Sequence, residues 1–266
     1  MEAHLNPAQL LRWYAEAGVD EAMGESPINR ILSFEKSGAA AAKAVILPLA
    51  PPPVSVIGAI EALGEARVLA ASAKTVAELR CALESFQGLS LRRTAANMVF
   101  ADGAPTAKVM LVGEAPDADE DRTGRPFAGV NGQLLDKMLA AIGLVREENV
   151  YITNVVNWHP PGNRPPSEAE VGLSLPFVQR HIELINPAVL VYVGGGAAKA
   201  LLKTKQSITS LRGKWMDYSS EFLPRPIPSL AIFHPSYLLA SPAQKGLAWA
   251  DLLMLKAKLQ ELGILT

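Results

Sequence analysis

The segment Gly113–Gly129 has the densest set of reactive side chains in this chain. Its seventeen residues include five acids, one aromatic and three glycines, in a protein whose charged content is only 19%. It follows the apolar stretch Val109–Val112, and a short apolar stretch bounded by glycine is typical of a buried strand. Open α/β sheets bind ligands beyond the carboxyl ends of their strands, so this segment is a candidate site. The alternative is a solvated acidic turn.

Polar residues also follow three further apolar runs. The second run contains Asn154 and leads to His159 and Arg164, the third continues into Gly194–Gly196, and the fourth precedes His234. The carboxyl ends of parallel strands lie at one edge of a sheet. If these runs are parallel strands, the side chains that follow them converge on one site.

The elements that would position these side chains alternate between strand and helix. Four apolar runs have the length of strands: residues 108–112, 150–156, 188–193 and 229–233. Helical patterns separate them, as in parallel βαβ units. We therefore predict an α/β fold, a three-layer α/β/α sandwich around a central four-stranded, mainly parallel sheet.

The first part of the chain has a different composition. Residues 1–75 are predicted to form an N-terminal extension, with a helix over about residues 7–22 and a Pro/Ala-rich linker. The compact domain is predicted to cover residues 76–266.

Composition narrows the possible classes of function. A chain of 266 residues with 49% hydrophobic content can bury a large core. Its net charge of −1 gives no global sign of nucleic-acid binding, so any such surface must be local. Cys81 is the single cysteine, which excludes an intramolecular disulfide and an all-cysteine metal site. The absence of a long apolar stretch and of a basic leader predicts a cytoplasmic protein without a membrane partner.

Three ordered motifs make the chain similar to a known family. They are Gly-Glu-Ala-Pro…Glu-Asp…Gly-Arg-Pro-Phe, Tyr-Ile-Thr-Asn-Val-Val…Pro-Pro-Gly-Asn-Arg and His-Pro-Ser-Tyr-Leu-Leu. Over about residues 86–258 the chain resembles the uracil-DNA glycosylase superfamily, in particular the family 4 type of bacteria and archaea.

This resemblance implies a monofunctional enzyme of base excision repair. Such an enzyme flips deoxyuridine out of the DNA stack, hydrolyses its N-glycosidic bond and leaves an abasic site. The partner is then uracil-containing DNA, single- or double-stranded, and the product is free uracil. We further expect no metal and no cofactor in the reaction, and a monomer in the bacterial cytoplasm, associated with the nucleoid.

The reaction needs chemistry that four of these residues can supply. A flipped pyrimidine needs an aromatic surface to stack on, and Phe127 suits this purpose. Uracil presents O4 as an acceptor and N3–H as a donor, and the amide of Asn154 matches both. His234 would donate to uracil O2 as the base leaves as an anion. Glu114 would position water or stabilise the oxocarbenium-like sugar.

Two more residues are assigned to uracil by the resemblance. Glu120 borders the C5 edge, where it helps to exclude the methyl group of thymine, and Ala115 contacts the base. Four of these residues could also have purely structural roles. Phe127 and His234 could be ordinary buried residues, Asn154 could cap its strand, and Glu120 could be a surface acid.

Another set is assigned to DNA by the resemblance and by charge: Ser236, Leu238, Lys199, Arg164 and Gly196. A helix that begins near Gly196 would offer free N–H groups to one DNA phosphate. Lys199 belongs to a local series of cations, which comprises Lys199, Lys203, Lys205, Arg212 and Lys214. A solvated helix face is the alternative for these lysines.

The chain departs from the family at the cluster positions. Family 4 enzymes typically hold a four-iron cluster with four cysteines, and the corresponding residues here are Phe86, Leu89, Trp158 and Ser174. None of them supplies a thiolate, which iron–sulfur clusters require. The sequence therefore predicts that no cluster is bound and that apolar packing replaces it.

Three other positions bear on the mechanism. Asp117 stands where the first motif usually has glycine, and Ala240 stands where a basic residue is common after the third motif. A related branch of the superfamily bonds covalently to abasic DNA through a histidine in an inserted Lys-Arg-Arg-Ile-His loop, and this insertion does not occur here. His159 in the neighbouring loop is expected to have a structural or phosphate-side role.

Two hypotheses of different class follow. The first is a hydrolase that removes uracil from DNA. The second is a protein that binds uracil-containing or abasic DNA without turnover, either non-covalently or through a covalent bond to the DNA. The joint presence of Glu114, Asn154 and His234 favours the enzyme, because binding alone would need neither the acid nor the imidazole.

Overall fold

A six-stranded sheet forms the middle layer of the fold. In this computed structural model, which describes residues 56–220 and 223–265, the strands are β1 (Ala101–Gly103), β2 (Val109–Gly113), β3 (Val150–Asn154), β4 (Val189–Val193), β5 (Trp215–Tyr218) and β6 (Ile227–Ile232). Their order across the sheet is β1-β3-β2-β4-β6-β5. The four middle strands are parallel and coincide with the four predicted apolar runs.

The two edge strands are the difference from the predicted four-stranded sheet, and both are antiparallel to their neighbours. All three residues of β1 are half-buried, and β5 includes the exposed Asp217. An edge strand buries only part of its surface, so neither strand produces an apolar run in the sequence. By contrast, β2, β3 and β4 are buried at every residue, as expected for strands covered on both faces.

Helices cover both faces of the sheet. Those in the described part of the chain are α1 (Val56–Ser72), α2 (Val76–Ser85), α3 (Ala118–Thr123), α4 (Gly129–Ala140), α5 (Arg146–Asn149), α6 (Glu168–Ile185), α7 (Gly195–Leu202), α8 (Ile208–Leu211), α9 (Pro235–Ala240) and α10 (Lys245–Glu261). Short 3₁₀ turns lie at Ser90–Arg93, Pro161–Asn163 and Pro242–Gln244. Within these residues, no helix is long and apolar enough to cross a membrane.

Successive residues of each strand pack against opposite layers, because side chains alternate across a sheet. On β2, Met110 and Val112 belong to a core shared with α1, α2, α6 and α7. Val109 and Leu111 belong to a second core shared with α4 and α10. The predicted three-layer α/β/α arrangement is therefore confirmed.

Helix α1 packs along α6, and both lie in one compact unit together with the sheet. Arg180 on α6 fastens the end of α1, since its Nε and Nη2 donate to the Ala73 carbonyl oxygen at 2.9 and 2.7 Å. The compact part thus begins before the boundary predicted between residues 75 and 76. The helix predicted over residues 7–22 and the Pro/Ala-rich linker lie outside the described residues.

The four positions that the family resemblance assigns to cluster cysteines lie in the interior. Phe86, Leu89 and Trp158 belong to the core on the α6 side of the sheet. The ring centroids of Phe86 and Phe177 are 5.4 Å apart, and Ser174 Oγ donates within its own helix. Among the described residues there is also no group of three or more His, Cys, Asp or Glu that could hold a metal ion. Phe86, Leu89, Trp158 and Ser174 therefore do not fit an iron–sulfur cluster, because such a cluster needs thiolate ligands.

Phe86→Ala is expected to lower the free energy of unfolding by about 3–5 kcal/mol, because it deletes a buried ring and leaves a cavity. Denaturant titration followed by circular dichroism measures this change. Cys81→Ser is the matched control, since Cys81 is exposed on the adjacent helix α2 and such a substitution changes stability by about 0.5 kcal/mol or less. Equal midpoints for Phe86→Ala and the wild type would contradict this contribution to the core.

Candidate active site

The loops that follow the parallel strands meet at one edge of the sheet. After β2 the chain passes first to β3 on one side and later to β4 on the other, which is the strand reversal where α/β sheets bind ligands. Gly113 at the end of β2 pairs with Asn154 at the end of β3. The N–H groups of Val155 and Val156 donate to the carbonyl oxygens of Gly113 and Glu114, both at 2.9 Å. This pairing places Glu114 beside Asn154.

Two glycines bring the loops after β4 and β6 to the same place. Gly194 donates its N–H to the Ile232 carbonyl oxygen at 2.9 Å. Its φ is +99°, and a Cβ there would lie 3.2 Å from the Cβ of His234. A side chain on Gly196 would overlap the carboxyl group of Glu114. Both glycines therefore permit a close approach that a larger residue would prevent.

Gly113 allows the central contact of the site. A Cβ on this residue would overlap Asn154 Oδ1 and would lie 2.8 Å from Phe127 Cζ. The ring centroids of Phe127 and His234 are 5.5 Å apart. The structure thus brings together the amide, the aromatic ring and the imidazole, as the sequence predicted.

The amide of Asn154 is fixed but incompletely paired. The residue is 1% exposed at the end of β3. Its Nδ2 is buried and forms no hydrogen bond of normal geometry with the described residues, although the amide interacts with the Glu120 carboxylate. A buried donor that is fully unpaired costs about 1–3 kcal/mol, so an acceptor on a bound ligand would stabilise this arrangement.

Glu120 is a buried acid that holds the backbone of Phe127. It is 5% exposed, so the surface alternative is wrong. Its carboxylate accepts the N–H of Phe127, and it accepts the N–H of Asp117 at 2.6 Å. Burial raises the pKa of Glu120 to about 7, although these hydrogen bonds and the nearby Asn154 amide oppose the rise. Glu120 therefore fixes the loop that carries the aromatic ring.

Asp117, the residue in place of the motif glycine, is a helix cap. It forms a capping box with Glu120 at the start of α3. Its Oδ1 accepts the N–H groups of Asp119 and Glu120, both at 3.0 Å. Its Oδ2 accepts from Asn131 Nδ2 at 3.0 Å, which links α3 to α4. The carboxylate of Asp117, which the motif glycine would lack, therefore orders the site loop.

His234 is held in one tautomer. Its Nδ1 accepts the backbone N–H of Ser236 at 3.2 Å and lies 2.7 Å from Ser236 Oγ. Because Nδ1 is an acceptor, we assign the proton of the neutral ring to Nε2. Burial lowers the pKa of His234, opposed by the nearby carboxylate of Asp117. At neutral pH the ring is therefore uncharged and offers Nε2–H as a donor.

Glu114 is half-buried beside the start of α7. Burial raises the pKa of Glu114, and the positive charge of Lys199 opposes this rise. Lys199 thus favours the ionised carboxylate, which can polarise water or stabilise a neighbouring cation. Ala115, the next residue, is half-buried and packs partly against the core.

Leu238, which was assigned to DNA, lies in the interior. It is 1% exposed and packs with Phe233 beneath α9. Pro235 and Leu238 form the buried side of this helix, at the i, i+3 spacing of one helical face. The exposed large apolar residues of α9 are Tyr237 and Leu239.

Two predicted DNA-binding cations have carboxylate partners. Arg164 Nη1 and Nη2 donate to both carboxylate oxygens of Glu170 at 2.8 and 2.7 Å. Arg212 Nε and Nη2 donate to both carboxylate oxygens of Asp251, at 2.8 and 2.7 Å. These bidentate pairs fix the guanidinium groups, so Arg212 does not extend the series of free lysines.

The remaining DNA assignments have mixed outcomes. The Glu114 carboxyl group takes the position beside Gly196 where a DNA phosphate was predicted. A phosphate there would meet a like charge. Ser236 and Lys199 are exposed next to the two candidate catalytic groups. His159 Nε2 lies 2.6 Å from Asn163 Oδ1, which supports the structural role predicted for this histidine.

Sequence reasoning missed two residues that contact the Phe127 carbonyl oxygen. A Cβ on Gly132 would overlap this oxygen, so glycine is required there. Arg146 Nη2 donates to it at 3.1 Å. A glycine within a helical pattern was an available signal, because such glycines often mark a close approach. Arg146 gave no signal, since a lone arginine before a strand is indistinguishable from a surface residue.

The part of the chain that carries these loops is similar to proteins of one family. The family model described as the uracil DNA glycosylase superfamily matches residues 100–253, more than half of the chain. A type-4 uracil-DNA glycosylase of Thermotoga maritima is 42% identical over 152 residues, which cover 57% of this chain and 75% of that protein. One of Archaeoglobus fulgidus is 41% identical over 154 residues, which cover 57% of this chain and 77% of that protein.

A type-5 uracil-DNA glycosylase of Pyrobaculum aerophilum is also similar, with 36% identity over 122 residues. That match covers 41% of this chain and 54% of the relative. The matched region contains the whole set of converging loops described above. The resemblance found in the motifs is confirmed, and the chain belongs to the uracil-DNA glycosylase superfamily, where it is similar to the type-4 enzymes.

Proposed function

We propose that this protein is a monofunctional uracil-DNA glycosylase that hydrolyses the N-glycosidic bond of deoxyuridine in DNA and leaves an abasic site. The observation that supports this most directly is the buried amide of Asn154, which lies close to the Phe127 ring and whose Nδ2 forms no hydrogen bond of normal geometry with the described residues. Uracil would place O4 against this donor and N3–H against Asn154 Oδ1. A base can occupy such a recess only after it has left the stack, so the mechanism includes base flipping.

The chemical step follows from the two groups beside the amide. As the glycosidic bond stretches, negative charge grows on uracil O2, where the fixed Nε2–H of His234 stabilises it. Positive charge grows on the sugar, where the Glu114 carboxylate stabilises it and positions the attacking water. The base leaves as free uracil.

This mechanism uses side chains of one chain, so we propose that a monomer performs it without a metal or cofactor. No step passes through an iron–sulfur cluster, because Phe86, Leu89, Trp158 and Ser174 offer no ligands for one. Uracil-containing DNA in the bacterial cytoplasm, at the nucleoid, is the proposed substrate, and base excision repair is the proposed process.

Asn154 is expected to decide which base is accepted. Asn154→Ala leaves two polar groups of uracil unpaired at about 1–3 kcal/mol each, so single-turnover cleavage of a uracil-containing oligonucleotide falls at least about tenfold. Asn154→Asp shifts the preference toward cytosine, because a carboxylate accepts from its amino group. Asn186→Gly, at the exposed left-handed end of α6, is the control with wild-type rates. An unchanged rate for Asn154→Ala would remove this residue from the pocket.

His234 is expected to act in the transition state. His234→Ala removes the imidazole, a preorganised hydrogen-bond donor. Such a donor typically raises the rate about a hundred- to thousandfold. Single-turnover cleavage should fall by that factor, while the affinity for uracil-containing DNA stays within a few-fold. Ser236→Ala should lose less, because the backbone N–H that fixes Nδ1 remains.

The same assay separates the alternative functions. Affinity lost together with an intact chemical step would make His234 a DNA contact only. Tight binding without turnover by the wild type would identify a non-catalytic binding protein. A stable protein–DNA adduct on denaturing gels would identify the covalent alternative.

The acid limb of the pH–rate profile is expected to report Glu114. Its pKa is raised by burial, and the carboxylate form is active, so the rate falls as the pH drops through that pKa. Lys199→Met removes the charge that opposes the rise, so the limb should move to higher pH. Lys203→Met, at the other end of α7, should leave the limb unchanged. A limb that does not move in Lys199→Met would assign it to another group.

A further inference from the structure

The backbone of Phe127 has a conformation that its residue type disfavours. Its φ is +51°, in the left-handed region that L side chains with bulk rarely adopt. Such a conformation persists only where the surrounding structure imposes it. The position of the phenyl ring beside Gly113 and His234 depends on this conformation, because φ sets the direction of the side chain.

Packing supports this conformation on one side. The Phe127 ring belongs to the core, and a Cβ on Gly132 would overlap the Phe127 carbonyl oxygen, so α4 lies directly against the loop. Elsewhere the loop borders a cleft of about 210 Å³, whose lining includes Pro126, Phe127 and Asp136. Polar contacts complete the support of the backbone.

Two side chains supply these contacts, one to backbone carbonyl oxygens and the other to a backbone N–H. Arg146 Nη1 donates to the Pro126 carbonyl oxygen at 2.8 Å, and its Nη2 donates to the Phe127 carbonyl oxygen at 3.1 Å. The Glu120 carboxylate accepts the N–H of Phe127. Both polar backbone groups of the strained residue are thus paired with buried side chains.

Arg146 is itself fixed in place. It is 6% exposed, although it belongs to a helix of four residues at the surface. Its Nε donates to Asp136 Oδ1 at 2.9 Å, and its Nη1 donates to Asp102 Oδ2 at 3.2 Å. The planar guanidinium has five donors in a rigid fork, which serve two carbonyls and two carboxylates together. A lysine ammonium cannot reproduce this pattern.

We propose that Arg146 is a positioning residue for base recognition, which holds Phe127 in its left-handed conformation through the Pro126 and Phe127 carbonyls and so places the ring against the base site. It touches neither the base nor the reacting atoms. The proposal rests on the proposed function, because it assigns a determinant of uracil recognition within the same site.

The first test compares single-turnover cleavage of uracil-containing DNA by Arg146→Met, Arg146→Lys and the wild type. Arg146→Met is expected to lose at least about tenfold, and Arg146→Lys is expected to lose less, because it keeps the charge but not the fork. Arg180→Met is the matched control, since Arg180 also donates twice to a backbone carbonyl and pairs with an acid, but on α6. Wild-type rates for both Arg146 variants would overturn the proposal.

A double-mutant cycle with Phe127→Ala distinguishes positioning from general stabilisation. If Arg146 acts through the ring, Arg146→Met lowers the rate in the wild-type background but changes it by less than about twofold in Phe127→Ala. An equal loss in both backgrounds would overturn the proposal. If Arg146→Met does not fold by circular dichroism, Arg146→Lys replaces it in the cycle.

A measurement without DNA separates this proposal from the proposed function. The Phe127 ring lies 5.5 Å from the His234 ring, so its ring current shifts the imidazole resonances in an NMR spectrum. These resonances should move in Arg146→Lys and stay in place in Arg180→Met. Unmoved resonances in Arg146→Lys would overturn the positioning role. A wild-type protein that does not cleave uracil DNA would reject the proposed function, and the NMR comparison would still decide the role of Arg146.

Discussion

The site depends on a constraint set by the middle strands, which are covered by helices on both faces. The side chains of β2, β3 and β4 are buried throughout, so a ligand can meet this part of the sheet only at strand ends. Gly113 marks the central strand end, and its missing side chain leaves room for the Asn154 amide and the Phe127 ring. The other residues of the site approach this space. His234 and Glu114 approach it because Gly194 and Gly196 lack side chains as well.

The sequence was informative where a residue's role depends on its own strand or motif. The apolar runs predicted the four parallel strands because strands that are covered on both faces are mostly apolar. Asn154 was found because it lies in such a run, and His234 because it directly follows one. The edge strands β1 and β5 were not predicted, because a partly exposed strand has no apolar run.

Roles that depend on distant partners were harder to predict. Arg164 and Arg212 looked like free cations, but each has an acidic partner that only the fold identifies. Leu238 faces inward because of where α9 packs, and Glu120 is buried because it pairs with the backbone of a residue later in its own loop. The start of the compact unit was missed because α1 docks on α6, which lies far along the chain.

The fixed tautomer of His234 has a consequence for the catalytic cycle. Since Nδ1 accepts the backbone N–H of Ser236 and burial disfavours the cation, the imidazole donates a hydrogen bond in the proposed reaction and transfers no proton. In the proposed reaction the departing base is then released as an anion, and it takes up its proton from bulk solvent afterwards. The imidazole is in the same protonation state after turnover as before it. The enzyme therefore needs no step to reset this group before it accepts the next damaged nucleotide.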